Sequence, residues 1–204
     1  MSVASATAHP IQLRGSRLAQ AALRVLGWRL RFDGLPTRQG VLIVYPHTSN
    51  WDFPLGLLTK WAVGIDVTFW GKDTLFKLPL FGRWLRWLGG VPVDRRAANG
   101  IVGQMARELD AARLHDRFLW LALSPEGTRR YTDTWRTGFY HVALQAQVPV
   151  GLVFLDYAKR EVGVQRFVTL GGDAAVDLAE IARQFDQPVG KRPTLAAPIR
   201  FKPS

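Results

Sequence analysis

Short apolar runs alternate along this chain with longer stretches whose apolar residues return every three or four positions. Val41–Tyr45, Val67–Trp70, Phe118–Leu123, Val150–Leu155 and Val162–Leu170 are the short runs, and they predict strands. Gly89–Arg95 predicts a further short strand that ends in charge. Asp52–Val63, Asn99–Leu114, the stretch from Thr137 or Gly138 to about Gln147, and Asp173–Phe185 carry the helical period. In the second of these, Ile101, Met105, Leu109 and Ala112 share a face and Asn99 is a candidate cap. Pro54 fits only the first turn of a helix, which puts a helix start between Ser49 and Asp52. Leu78–Leu88 is a short helix with bulky apolar residues nearly all round and only Arg83 and Arg86 charged. It either lines an apolar tunnel or fills core, and core is the expectation. Strands that alternate with helices predict an α/β class: a single domain with a mixed, mostly parallel sheet flanked by helices. A turn near Lys159 pairs the last two strands as a hairpin, which makes the sheet mixed.

The two ends of the chain differ from its middle. Residues 1–9 read as a frayed terminus. From Ile11 to Arg31 there is no acidic residue, and Asp33 is the first carboxylate. Arg14, Arg17 and Arg24 interleave with Leu18, Ala22, Val25 and Leu26 at helical spacing. This segment fits a helix lying on an anionic membrane. It fits equally an ordinary surface helix packed on the domain. Trp28, Leu30 and Phe32 then alternate with Arg29 and Arg31, as in a half-buried strand. After Gln187 the chain is proline-rich and basic and predicts extended structure.

Composition narrows the classes. The 204 residues are enough for one domain with a real core, and 48% hydrophobic content excludes disorder. With no cysteine, disulfides, thiolate catalysis and cysteine-ligated metals are excluded. No apolar run reaches the roughly 18 residues that span a bilayer, and the N-terminus does not resemble a signal peptide. The formal charge of +11, from 27 basic and 16 acidic residues, calls for an anionic partner: nucleic acid, anionic lipid or an acidic carrier. Eight tryptophans and eleven phenylalanines favour lipid, although they also suit a core.

Three polar clusters follow apolar strands: His47–Asp52, Asp94-Arg95 and Glu126–Arg130. In open α/β sheets ligands bind outside the carboxyl ends of the strands, so the three converge on one cleft. On a continuous helix, residues five apart point away from each other. If the chain turns at His47 and coils by Asp52, the carboxylate swings under the imidazole, sets its tautomer and leaves the other nitrogen free as a base. Arg95 and Arg129 are fork-shaped donors suited to phosphate. Gly127 lets the backbone approach a ligand, Thr128 adds a hydroxyl, and Glu126 can hold an arginine or accept a sugar-like hydroxyl. Lys72, also after a strand, is a weaker phosphate candidate. The four histidines show no metal-ligand spacing.

This set resembles the lysophospholipid acyltransferases, the PlsC-like glycerolphosphate acyltransferase family. Four motifs match in order over roughly residues 30–155. His47–Asp52, with Ser49 between, resembles the first. Gly89–Arg95 resembles Gly-x-x-Phe-Ile-Asp-Arg. Ser124–Arg129 resembles Phe-Pro-Glu-Gly-Thr-Arg. Val148-Pro149-Val150 resembles the fourth, a Val-Pro-Ile-x-Pro block. The chain departs from the pattern at Pro46, Pro92, Ser124, Arg130 and Leu152.

The resemblance implies that His47 takes the proton of an acceptor hydroxyl while Asp52 orients it. The alkoxide then attacks the thioester of acyl-CoA or acyl carrier protein, with no acyl-enzyme and no metal or other cofactor. Arg129, Arg95 and Lys72 would bind the acceptor phosphate, and Glu126, Gly127 and Thr128 would shape that pocket. The implied acceptor is a lysophospholipid such as 1-acyl-glycerol-3-phosphate. The implied place is the cytoplasmic face of a membrane, held peripherally.

In domain terms, residues 1–32 form a basic amphipathic segment, 33–186 the acyltransferase domain and 187–204 a basic tail. An acceptor other than a lysophospholipid is one alternative. A thioesterase that uses water is another, and no Gly-x-Ser-x-Gly elbow is present for a serine route. A non-enzymatic nucleic-acid-binding module is the third. Against it, the aromatics fall in apolar runs and not between lysines, so no nucleic-acid partner is expected.

Overall fold

The computed structural model describes residues 10–93 and 98–202. In chain order the elements are α1 (Arg17–Val25), β1 (Arg29–Arg31), β2 (Gln39–Tyr45), α2 (Asp52–Val63), β3 (Val67–Lys72), α3 (Asp73–Phe76), α4 (Pro79–Trp87), β4 (Gly90–Val93), α5 (Ala98–Leu114), β5 (Leu119–Leu123), α6 (Gly138–Ala146), β6 (Val150–Asp156), β7 (Glu161–Val168) and α7 (Ala174–Phe185). Asp94 and Arg95 lie outside the described residues, and so does the side chain of Asn99.

One seven-stranded sheet has the order β1-β7-β6-β2-β5-β3-β4. β6, β2, β5, β3 and β4 pair in parallel, whereas β7 returns antiparallel beside β6 and β1 runs parallel to β7. This is the mixed, mostly parallel sheet expected, and the hairpin turns where predicted. Asp156 makes that turn, accepting hydrogen bonds from the N–H groups of Ala158 and Lys159, both at 3.0 Å. β2 holds the centre because its residues are apolar on both faces, as a strand covered on both sides requires. Val41 and Ile43 point to one side and Leu42 to the other, and all three are buried.

Two helical layers cover the sheet. α5, α6 and α7 pack on the face of Val41 and Ile43, through Leu109, Phe139, Val142, Ile181 and Phe185. α1 and α2 pack on the other face, Ala19 and Leu23 of α1 meeting Leu55 and Ala62 of α2. Ser16 caps α1 by accepting from the N–H of Ala19. α1 is therefore a packed surface helix on one side, and on the other it exposes Leu18 and Val25 beside Arg17 and Arg24.

α4 departs from expectation. Only Gly82 and Leu85 of the helix are buried. Leu80, Phe81, Trp84 and Trp87 are exposed, and so is the preceding Leu78. The helix lies over the edge strand β4, beside α3, and among the described residues no further layer covers it. α3 itself was not predicted, since a single turn has no period to read. The C-terminal stretch is extended apart from one 3-10 turn (Pro193–Leu195). It is no loose tail, because Ala197 is fully buried and Phe201 packs against Phe139 and Tyr140.

Candidate active site

β2 ends at Tyr45, the Tyr45–Pro46 peptide is cis, and the chain turns through His47 before α2 starts at Asp52. The turn brings the pair together. His47 Nδ1 lies 3.2 Å from Asp52 Oδ2. The same oxygen accepts the backbone N–H of Ser49 at 2.8 Å, and the Tyr157 hydroxyl donates to Asp52 Oδ1 at 2.7 Å. Asp52 is almost wholly buried. Burial works against its charge, but hydrogen bonds from His47, Tyr157 and Ser49 outweigh it and hold the carboxyl below its ordinary range. Asp52 is thus an anion facing Nδ1, and a proton on Nδ1 would leave Nε2 as the ring nitrogen with a free lone pair. Nε2 has no protein partner among the described residues, and His47 borders the main cavity.

Glu126 lies behind this turn. One carboxylate oxygen accepts the backbone N–H of His47, and the other accepts that of Ala197 at 3.0 Å. The side chain is buried and does not border the cavity. The expectation that Glu126 holds an arginine or meets a substrate hydroxyl is therefore corrected. Both oxygens point at backbone donors, and the residue ties the His47 turn to the C-terminal stretch. Burial pushes its carboxyl up, and the charge of Asp52 adds to the rise. Two further contacts fix the same stretch: Tyr157 N–H donates to Val189 O at 2.8 Å, and Arg192 N–H donates to Thr48 Oγ1 at 3.2 Å.

Gly127 has φ of +65°, and a Cβ there would sit 2.4 Å from Arg136 Nε. Only glycine allows both the left-handed turn and the guanidinium lying across it. Beyond it, Thr128 Oγ1 accepts the N–H of Arg130 at 3.2 Å.

The cavity measures about 1320 Å³ and is lined by residues of β2, β3, β5, β6 and β7, reaching the carboxyl ends of β3 and β5 and the turn after β2. Its polar lining includes His47, Lys72, Thr128, Arg129, Arg130 and Arg136. The side chains of Lys72 and the three arginines make no ion pair among the described residues. Its apolar part is walled by Phe53 and Leu57 of α2, Phe69 of β3, and Phe81 and Leu85 of α4. Helix Pro79–Trp87 therefore lines a tunnel with one side, where core was expected. Three buried polar atoms on bordering residues have no hydrogen-bond partner among the described residues: Ser124 Oγ, Trp70 Nε1 and Trp135 Nε1. Among the described residues no cluster of three or more histidine, cysteine or acidic side chains has the arrangement to hold a metal ion.

A histidine held on a buried carboxylate, bordering a largely apolar cavity whose lining also carries cations, suits deprotonation of an alcohol on an anionic lipid-like molecule. The family model described as Acyltransferase matches residues 29–153. The chain belongs to the acyltransferase family. The crystal structure of the 1-acyl-sn-glycerophosphate (LPA) acyltransferase PlsC from Thermotoga maritima is similar, with a TM-score of 0.54 at 18% identity. The likeness covers 82% of this acyltransferase and 73% of that chain, and it concerns the fold. No protein of curated function matches the sequence.

In this acyltransferase, His47, Asp52, Lys72, Gly127, Thr128 and Arg129 all border one cavity. Glu126 stands behind it, and Arg95 lies outside the described residues. Sequence reasoning missed Tyr157 and Arg136. Tyr157 follows the carboxyl end of β6, so the rule that singled out the other clusters applies to it. Arg136 has no such signal, because its place depends on packing against Gly127.

Proposed function

We propose that this acyltransferase moves a fatty acyl group from an acyl thioester, on coenzyme A or acyl carrier protein, to the hydroxyl of a lysophospholipid such as 1-acyl-glycerol-3-phosphate. The observation that carries the reading is His47, with Nδ1 held on Asp52 and Nε2 left free on a cavity that Lys72 and Arg129 also border. The acceptor O–H gives its proton to Nε2. The oxygen attacks the thioester carbonyl, the tetrahedral intermediate collapses, the C–S bond breaks, and the thiol leaves with the proton returned by His47. Asp52 stabilises the imidazolium between the two transfers. General-base assistance of this kind supplies roughly 10²–10⁴-fold. Positioning in the tunnel adds to it.

Arg129 and Lys72, with Arg95 in its motif, grip the acceptor's phosphate, and the apolar walls take the acyl chains. No metal or other cofactor enters these steps. An acidic carrier protein suits the charge of +11. The enzyme works peripherally at the cytoplasmic face of a membrane. In keeping with this, no helix among the described residues is long and apolar enough to cross one.

Mass spectrometry of products from a lysolipid panel with one acyl-CoA tests the assignment. A diacyl phospholipid is expected. Free fatty acid as the sole product would make the enzyme a thioesterase. Arg129→Ala is expected to raise the Michaelis constant for a phosphate-bearing acceptor about tenfold, the usual scale for a lost hydrogen bond to a charged group. An unchanged constant would remove Arg129 from the phosphate site.

A further inference from the structure

α4 is apolar on two sides, and the two sides meet different surroundings. Leu85 and Phe81 border the cavity. Leu80, Trp84 and Trp87 face solvent, Leu80 at 83% and Trp87 at 75% exposure. Phe81 is itself 40% exposed, so it stands where tunnel and surface join. Exposed aromatic and aliphatic residues at this density mark a contact surface.

Charge narrows what the contact is. α4 contains no acid; Arg83 has no ion-pair partner among the described residues, and Arg86 lies 5.5 Å from the Phe76 ring centre. α1 repeats the composition, with Leu18 and Val25 exposed beside Arg17 and Arg24, and no acid. Both helices adjoin α2. Trp84 meets Phe53 with ring centres 6.3 Å apart, Lys60 Nζ donates to Leu88 O at 2.9 Å, and Gln20 Nε2 donates to Ala62 O at 2.9 Å.

We propose that α4 is the docking helix of this protein: its exposed face enters the interface of a bilayer that contains anionic lipid, and lipid substrates pass between bilayer and cavity beside Phe81. This rests on the lipid-acyltransferase reading and adds the surface through which lipid arrives. Indole rings and arginine stems favour the headgroup boundary, where one end of the side chain is wet and the other dry. A second copy of the chain fits poorly, because it would bring arginines against arginines. An acidic carrier protein would satisfy Arg83 and leave Leu80 and Trp87 unexplained.

The chain has no cysteine, so single-cysteine labelling reads the surface directly. Leu80→Cys and the control Leu114→Cys, each at a site 83% exposed, carry an environment-sensitive dye. On vesicles of phosphatidylcholine with a minority of phosphatidylglycerol, the dye at position 80 is expected to shift to the blue and the dye at 114 to stay unchanged. The variant Trp87→Ser/Arg83→Glu is expected to lower the vesicle-bound to free ratio at low salt by about tenfold. Its turnover of a short-chain lysolipid below the micelle threshold is expected to be unchanged.

No shift at position 80, or equal shifts at both positions, overturns the proposal. So does full vesicle binding by the α4 variant, or a loss of binding seen only with Leu18→Ser/Val25→Ser on α1. Capture of an acidic carrier protein by wild type, with no vesicle binding, overturns it as well. If wild type does not acylate the short-chain lysolipid, the acyltransfer reading fails, while the dye still reports docking.

Discussion

The two helical layers treat their apolar residues in opposite ways. In the layer of α5, α6 and α7, large apolar side chains turn inward, and among the described residues only Leu114 and Val176 on those helices are exposed. In the layer of α1 and α2, and on α4 at the sheet edge, Leu18, Val25, Trp61, Leu80, Trp84 and Trp87 stand in solvent. Charge differs between four of these helices. α5 and α7 mix acids with arginines, including the pairs Arg113–Asp110 and Arg183–Glu180, both at 2.6 Å. α1 and α4 carry arginines alone. One layer closes the fold, and the other borders the cavity and leaves apolar residues and arginines in solvent. A helix's burial is therefore no guide to its importance in this protein.

The contrast can be broken at several points. Leu109→Ala, in the closed layer, removes a fully buried side chain and is expected to cost about 2–5 kcal/mol of stability in a denaturant titration. A cost under about 1 kcal/mol would mean that this layer is not the closed core. Tyr157→Phe removes the donor to Asp52 Oδ1. It is expected to lower kcat about tenfold with Michaelis constants unchanged, since hydrogen bonds to charged groups contribute roughly 1.5–3 kcal/mol. An unchanged kcat would make the hydroxyl incidental to the dyad.

Alkaline pH probes both layers at once. Burial, helped by the charge of Glu126, pushes Tyr45 up to about 12. Burial, with the hydrogen bond to Asp177, does the same for Tyr140, also to about 12. Tyr157 is raised by burial and by its bond to Asp52. A phenol raised in the fold keeps its proton there longer than in the unfolded chain. Its contribution is complete below about pH 10 and is lost as pH climbs through the folded value, up to a few kcal/mol in all. Unfolding midpoints are expected to fall from pH 9 to pH 11, less so in Tyr157→Phe, and midpoints flat over that interval would contradict the assignment. Asp52 has the opposite sign, because its lowered carboxyl contributes above about pH 4 and loses that contribution as the medium becomes more acid. The smallest effect is expected from Leu80→Ser on α4, within about 0.5 kcal/mol of wild-type stability in the same titration.

Much of this was legible in the residues. The strand Val41–Tyr45 and the helix from Asp52 to Val63 were readable because apolar run, turn and Pro54 agree on the boundaries. The dyad followed from the break between them. Three things were not legible, and each depends on distant packing. α4 reads as core because its composition is apolar all round, and only its place at the sheet edge leaves one side bare. Glu126 reads as a ligand because it sits in a binding motif, yet its partners are the backbones of His47 and Ala197, which lie 79 and 71 residues away. Tyr157, 105 residues from Asp52, has no local pattern that announces their bond.

The proposed acyl transfer depends on His47 as its base. Its most direct test is acyl transfer from a thioester to a lysophospholipid by purified His47→Ala whose circular dichroism and unfolding midpoint match wild type. The account predicts a rate at least about 10²-fold below wild type, the lower bound for a lost general base. A folded His47→Ala protein that turns over at the wild-type rate would contradict it.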